Sequence, residues 1–169
     1  MITLRTGLAV AAISLSMAGA ASAQTATALG QFRDWGAYVA EGSGGKVCYA
    51  LSQPKSMEPR NVNRDPVYFF VTSRPGQGVK NEVSVVIGYP FRADSRASAQ
   101  IGGDSFTLFT KDDGAWVENA AEEARLVTAM RAGATMVVKG TSQRGTDTSD
   151  TYSLSGISAA LDRVAQECR

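Results

Sequence analysis

The sequence predicts a mainly β protein, a sandwich or barrel with a short inserted helix and a C-terminal helix. Three observations predict it. Short apolar runs with period-two alternation recur along the chain, glycine-rich turn signals separate them, and helical spacing appears only twice. At 169 residues with 44% hydrophobic and 20% charged content, the composition suits one globular domain and excludes collagen-like, coiled-coil and disordered classes.

The chain opens on a segment expected to be removed. Arg5 precedes an uncharged run from Gly7 to Ala20, and Ala21-Ser22-Ala23 follows. A basic start, an apolar stretch and an A-x-A site mark a secretory signal peptide, because the run is too short to span a bilayer stably. Residues 1–23 are expected to be cleaved and residues 24–169 to form one domain, exported to the periplasm, the cell surface or the medium, with no transmembrane segment. Neither a lipid-attachment cysteine nor an Arg-Arg pair accompanies the leader.

Residues 24–30 are small and polar and read as a frayed leader. Strands are expected over residues 32–40, 46–53, 67–73, 82–89, 97–101, 105–111 and 135–142. Alternation is clearest in the fourth, where Val83, Val85, Ile87 and Tyr89 share one face and Glu82, Ser84 and Gly88 the other. Gly42-Ser43-Gly44-Gly45, Pro75-Gly76-Gln77-Gly78, Gly102-Gly103-Asp104 and Asp112-Asp113-Gly114 supply turns in which glycine permits positive φ. Asn119 and Glu122 stand at capping-box spacing before Ala124, Leu126, Val127 and Met130, a helix ending at Gly133. The last segment opens at Ser155, with Ile157, Leu161, Val164, Ala165 and Cys168 on one helical face.

Cys48 and Cys168 are the only cysteines. An exported chain meets an oxidising compartment in which paired thiols become disulfides, and two cysteines allow one intrachain connectivity. A reactive or metal-binding thiol would need a histidine, a CxxC partner or further ligands, and none is present. A Cys48–Cys168 disulfide is therefore expected, docking the terminal helix on an early strand.

Catalytic chemistry has little to stand on. There is no histidine, which removes the commonest general base and zinc ligand. Gly42-Ser43-Gly44-Gly45-Lys46 lacks the spacing of a phosphate loop and runs into a strand. Asp147 and Asp150 lie among Thr146, Thr148 and Ser149, too few oxygen ligands for a calcium loop, and read as a polar hairpin turn. Asp112 and Asp113 are adjacent and would point apart in extended chain, and Trp35 and Trp116 are expected to pack in the core or on a sheet, ligand stacking being the alternative. No catalytic, cofactor-binding or metal-binding residue is assigned and no cofactor is expected. Lys plus Arg is 17 against 16 for Asp plus Glu, so no basic excess points to a nucleic-acid partner. The segment 54–65 holds two prolines and three cations without apolar periodicity; Lys55, Arg60 and Arg64 make it a candidate partner-binding loop, the alternative being a plain surface excursion.

The motifs Phe32-Arg33-Asp34-Trp35, Lys46-Val47-Cys48-Tyr49, residues 81–90 (NEVSVVIGYP), Phe106-Thr107-Leu108-Phe109-Thr110 with Gly114-Ala115-Trp116, and residues 151–156 (TYSLSG) before a terminal cysteine occur in order along nearly all of the mature chain. Together they resemble the invasion-associated locus B family of exported bacterial proteins. That resemblance implies an immunoglobulin-like β-sandwich over residues 24–169. It brings no established catalytic residues, and the family's name reflects ancestry before activity. The leading expectation is a non-catalytic periplasmic or cell-surface module that binds an envelope or surface protein or supports the envelope. A host-cell adhesion or invasion factor, and a secreted hydrolase with an unusual Lys or carboxylate site, are the alternatives.

Overall fold

Hairpins build the molecule, which is known from a computed structural model that describes residues 26–169. The expected signal peptide lies outside the described residues. Strand β1 (Thr27–Phe32) turns at Arg33-Asp34 into β2 (Trp35–Gly42), which turns at Ser43-Gly44 into β3 (Gly45–Ser52). After the short β4 (Ser56–Glu58), β5 (Tyr68–Arg74) pairs with β3 and turns through a 3₁₀ segment, Pro75–Gln77, into β6 (Val79–Val86). A meander of β7 (Arg96–Ile101), β8 (Asp104–Lys111) and β9 (Gly114–Val117) precedes α1 (Ala120–Ala132). The hairpin of β10 (Thr135–Thr141) and β11 (Asp147–Ser153) then leads to α2 (Ile157–Glu167).

Every pairing is antiparallel, and the strand order is β1-β2-β3-β5-β6-β9-β8-β7-β10-β11-β4. The ladder is continuous, yet its two halves face each other. Phe69 on β5 meets Tyr152 on β11 edge-on at 5.6 Å, Trp35 packs on Phe69 at 6.1 Å, and the Trp35 indole N–H donates to the Ser153 carbonyl at 2.9 Å. These strands are remote in the sheet order, so the sheet must double back on itself. The outcome is the mainly β, sandwich-like architecture with an inserted and a terminal helix that the sequence predicts. Alternation sets its core: Val83 and Val85, with Phe69 and Val71 on the neighbouring strand and Phe106 and Leu108 beyond, are fully or almost fully buried, while Ser84, Phe70 and Thr107 face outward.

The expected strand 32–40 is broken by the turn at Arg33-Asp34, and β4 and β9 form where no strand is expected. Residues 27–30, expected in a frayed leader, belong to strand β1, because its backbone pairs with β2 and Leu29 and Phe32 pack on the core. Asp147 and Asp150 belong to β11 rather than to a turn; the turn itself is residues 142–146. The polar inward-facing Thr148 and Asp150 hide that strand from a hydrophobic pattern search.

Both helices form where expected. Asn119 caps α1 by accepting from the Glu122 N–H at 3.0 Å. Glu122 does not complete the reciprocal box but accepts from Arg125, and Glu123 reaches the sheet, accepting from the Val83 N–H at 2.7 Å. Leu126, Val127 and Met130 are buried, Ala124 is exposed, and in α2 Ala160 takes the inward place expected of Ala165. Helix α2 starts at Gly156, where φ is 96° and an added Cβ would lie 1.8 Å from the Phe32 carbonyl oxygen. Only glycine lets this helix begin against the β1–β2 turn. At its other end Cys168 bonds to Cys48 of β3, Cα atoms 6.0 Å apart, and the bridge spans 120 residues of sequence. The expected disulfide is present in the structure.

Candidate functional site

The three cations of the predicted binding loop do not form one surface. Lys55 pairs with Asp34, and that bond, followed by one with Ser153, holds the Asp34 carboxyl below its usual range. Arg60 is 80% exposed and donates from Nε to Glu58 Oε1 at 3.0 Å. Arg64, expected on an exposed loop, is instead only 5% exposed. This corrects its assignment as a free binding cation.

Arg64 turns inward because an acceptor set awaits it between the layers. Its Nη1 and Nη2 donate to both carboxylate oxygens of Asp150 at 2.6 Å each, and Nε and Nη2 donate to the Ile87 carbonyl at 3.2 and 2.7 Å. The guanidinium lies over the Tyr89 ring at 5.0 Å. Burial works to lower its pKa, but the bonds and charge of Asp150 overcome this and leave it above the ordinary arginine value. A buried charge is tolerable only when paired and hydrogen-bonded, and here both charges are. The loop is tied down next door, where the Asp65 N–H donates to the Gly88 carbonyl at 3.0 Å. Gly88 has φ 78°, and a Cβ there would lie 2.2 Å from the Asp65 carbonyl oxygen, so only glycine permits this approach.

Pinned in this way, loop residues 61–65 form one wall of a cleft of about 810 Å³. Residues 88–90 and 142–144, with Thr146 and Thr148, form the rest. The Tyr89 hydroxyl and Thr148 Oγ1 share a hydrogen bond of 2.6 Å, and Ser142 Oγ accepts from the Thr146 N–H at 3.1 Å. Burial raises the Tyr89 pKa, with Thr148 and Arg64 pulling against it. At the rim stand Asn61, Val62 and Asn63, all exposed, together with Gln143 and Arg144. Such a lining can orient a polar chain through amides, hydroxyls and one cation. Its lining carboxylate is that of the exposed Asp65, while behind the wall both oxygens of the buried Asp150 are held by Arg64.

Sequence reasoning found Arg64 but missed Asp150, Tyr89 and Thr148 as its companions. The available signal was the alternation Thr148, Asp150, Tyr152, a strand with polar residues on its inner face. Among the described residues no group of three or more Cys, Asp or Glu side chains could hold a metal ion, and no helix is long and apolar enough to cross a membrane.

No curated protein matches the chain. Among solved structures it is similar to the crystal structure of invasion associated protein b from Bartonella henselae, with a TM-score of 0.56 at 17% identity over 86% of this chain and 98% of that one. At that identity the likeness shows the fold. A family model described as invasion associated locus B (IalB) protein matches residues 35–165, a span that contains Cys48, Arg64 and Asp150. The chain therefore belongs to the invasion associated locus B family.

Proposed function

We propose that this family member is an exported, non-catalytic binding module whose cleft receives a segment of an envelope or surface protein. The observation that carries the reading is the Arg64–Asp150 pair, which turns an irregular loop into a fixed wall of a polar cleft. Rigid walls cut the ordering cost of binding. Exposed Asn61, Val62 and Asn63 with Arg144 opposite offer hydrogen bonds, a small apolar contact and one charge, the mix found at the rims of protein interfaces. The non-catalytic part is supported by the absence of histidine from the sequence and by a cleft lining without lysine, which remove the imidazole and amine bases that commonly activate a hydroxyl nucleophile. Export is supported by the leader sequence and by the disulfide, a bond that persists in oxidising compartments.

The test is capture from envelope extracts with the mature chain, against a control in which Asn61, Val62, Asn63 and Arg144 are all changed to Ser. A partner recovered by the native chain and lost by the control supports the reading; equal recovery by both, or none by either, refutes it. A role in host-cell entry is a second reading, favoured only by the names of the family and of the similar Bartonella henselae structure. Binding of the mature chain to intact host cells would support it.

A further inference from the structure

Sulfur reactivity toward solvent comes down to one side chain. Residues 24–169 hold three methionines, Met57, Met130 and Met136. Met130 and Met136 are fully buried, whereas Met57 is 41% exposed, the most accessible of the large hydrophobic side chains. The two cysteines are joined to each other, and no free thiol remains among the described residues. A two-electron oxidant arriving from solvent therefore meets the Met57 thioether before any other sulfur, because oxidation follows access.

The position of Met57 gives that reaction a consequence. It is the middle residue of β4, the outermost strand beyond β11, and in register it stands opposite Asp150; Val138 of β10 stands opposite Asp150 on the other side. Directly opposed residues of antiparallel strands project from the same face with Cβ atoms about 4.5–5.5 Å apart, so Met57 and Val138 are the two apolar flanks of the buried carboxylate. Ser56 and Glu58 point to the opposite face by alternation and cannot replace Met57. Val138 is fully buried, but no strand lies beyond β4, which leaves the Met57 flank open to water. Asp150 gives both its oxygens to Arg64 at 2.6 Å, and Arg64 holds the loop wall of the cleft. One exposed thioether thus shields the ion pair on which the wall depends.

We propose that Met57 is an oxidation site through which a hydroperoxide loosens that wall. A sulfur lone pair attacks the outer peroxide oxygen, the O–O bond breaks and an S–O bond forms. The proton moves from the transferred oxygen to the departing one, which leaves as water, or as an alcohol from an organic peroxide; sulfur loses two electrons and the peroxide gains them. The sulfoxide is polar where the thioether was apolar. Beside Asp150 its oxygen is repelled by the carboxylate, competes with it for the Arg64 guanidinium, and draws water to a pair whose attraction depends on excluding water. The three-residue β4 pairs with β11 alone, so little else holds the edge in place. The inference concerns the wall itself and stands whether or not the cleft receives a protein segment.

The experiment treats the disulfide-intact mature chain with hydrogen peroxide, follows each methionine by peptide mass, and then reads limited proteolysis of residues 59–66. Met57 should oxidise roughly tenfold or more ahead of Met130 and Met136, and cleavage of the loop should then become several-fold faster. Met57→Leu, given the same peroxide, should keep its untreated cleavage rate, and untreated Met57→Gln, a lasting polar replacement, should approach the oxidised chain. With Arg64→Met and Asp150→Leu together there is no ion pair to disturb, and oxidation should leave cleavage unchanged. Oxidation of Met57 no faster than that of the buried methionines overturns the inference. So does an oxidised chain cleaved at the untreated rate, or equal acceleration in peroxide-treated Met57→Leu or in the chain without the pair. None of these readouts depends on partner capture, so failure of the protein-binding reading is distinguishable from failure of this one.

Discussion

Replacing Arg64 with methionine keeps most of the stem and removes the charge and four hydrogen bonds, two to Asp150 at 2.6 Å and two to the Ile87 carbonyl. It leaves the Asp150 carboxylate at 0% exposure with no counter-charge. Removing one partner of a buried ion pair costs about 3–5 kcal/mol, because the remaining charge stays desolvated. With a urea dependence of about 2 kcal/mol per molar for a domain of this size, the unfolding midpoint should fall by roughly 1.5–2.5 M. The melting temperature should fall by about 6–20 °C, at roughly 2–4 °C per kcal/mol. Combining Arg64→Met with Asp150→Leu should recover most of the loss, since an apolar replacement of the whole pair restores a satisfied interior. Arg60→Ala, four residues away in sequence but 80% exposed, should cost within about 0.5 kcal/mol. Limited proteolysis would report the loop directly, with faster cleavage in residues 59–66 of Arg64→Met. A loss below about 1 kcal/mol, or a double variant as unstable as the single, would refute the claim that this pair pins the loop, on the magnitudes expected for buried pairs.

Two further outcomes follow from the geometry. Cys48→Ala with Cys168→Ala should cost about 2–5 kcal/mol and speed hydrogen exchange chiefly in residues 157–166, because Ile157, Ala160, Leu161 and Val164 then hold α2 alone; exchange that rises equally across β5 and β6 would contradict a local anchor. The pH dependence of Glu123 has a definite sign. Burial raises its carboxyl pKa above the ordinary value, against the pull of the Val83 N–H and with a smaller push from Glu82, so its contribution to stability is greatest below the unfolded pKa and is lost as pH rises through the folded one. Glu123→Gln, which keeps an oxygen for Val83, should therefore equal or exceed the wild type in urea stability at pH 7, with the gain vanishing below the usual glutamate range; a gain that grows on acidification would show the sign to be wrong.

Local sequence determined much of this protein. Period-two runs such as Val83-Val85-Ile87 must place one face inward whatever the topology, glycine turns such as Gly102-Gly103 fix where strands reverse, and the spacing from Ile157 to Cys168 sets a helix with its cysteine on the inner side. Two cysteines in a chain whose first residues predict export leave one bridge to make. The site was less legible because its partners are far apart in sequence: Arg64 and Asp150 are 86 residues distant, and each looks like a solvated charge in its own neighbourhood. Asp150 in particular made an inward-facing strand read as a turn. Only the doubling of the sheet, which sets β11 across from β5 and brings the loop over both, creates an interior where each charge is the other's sole sufficient compensation. A row of aromatic rings on the outer side of the sheet was hidden for the same reason. Tyr38, Tyr49, Phe70 and Trp116 lie on four separate strands, and it is the strand order β2-β3-β5-β6-β9, a property of hydrogen bonding between distant segments, that sets their rings side by side.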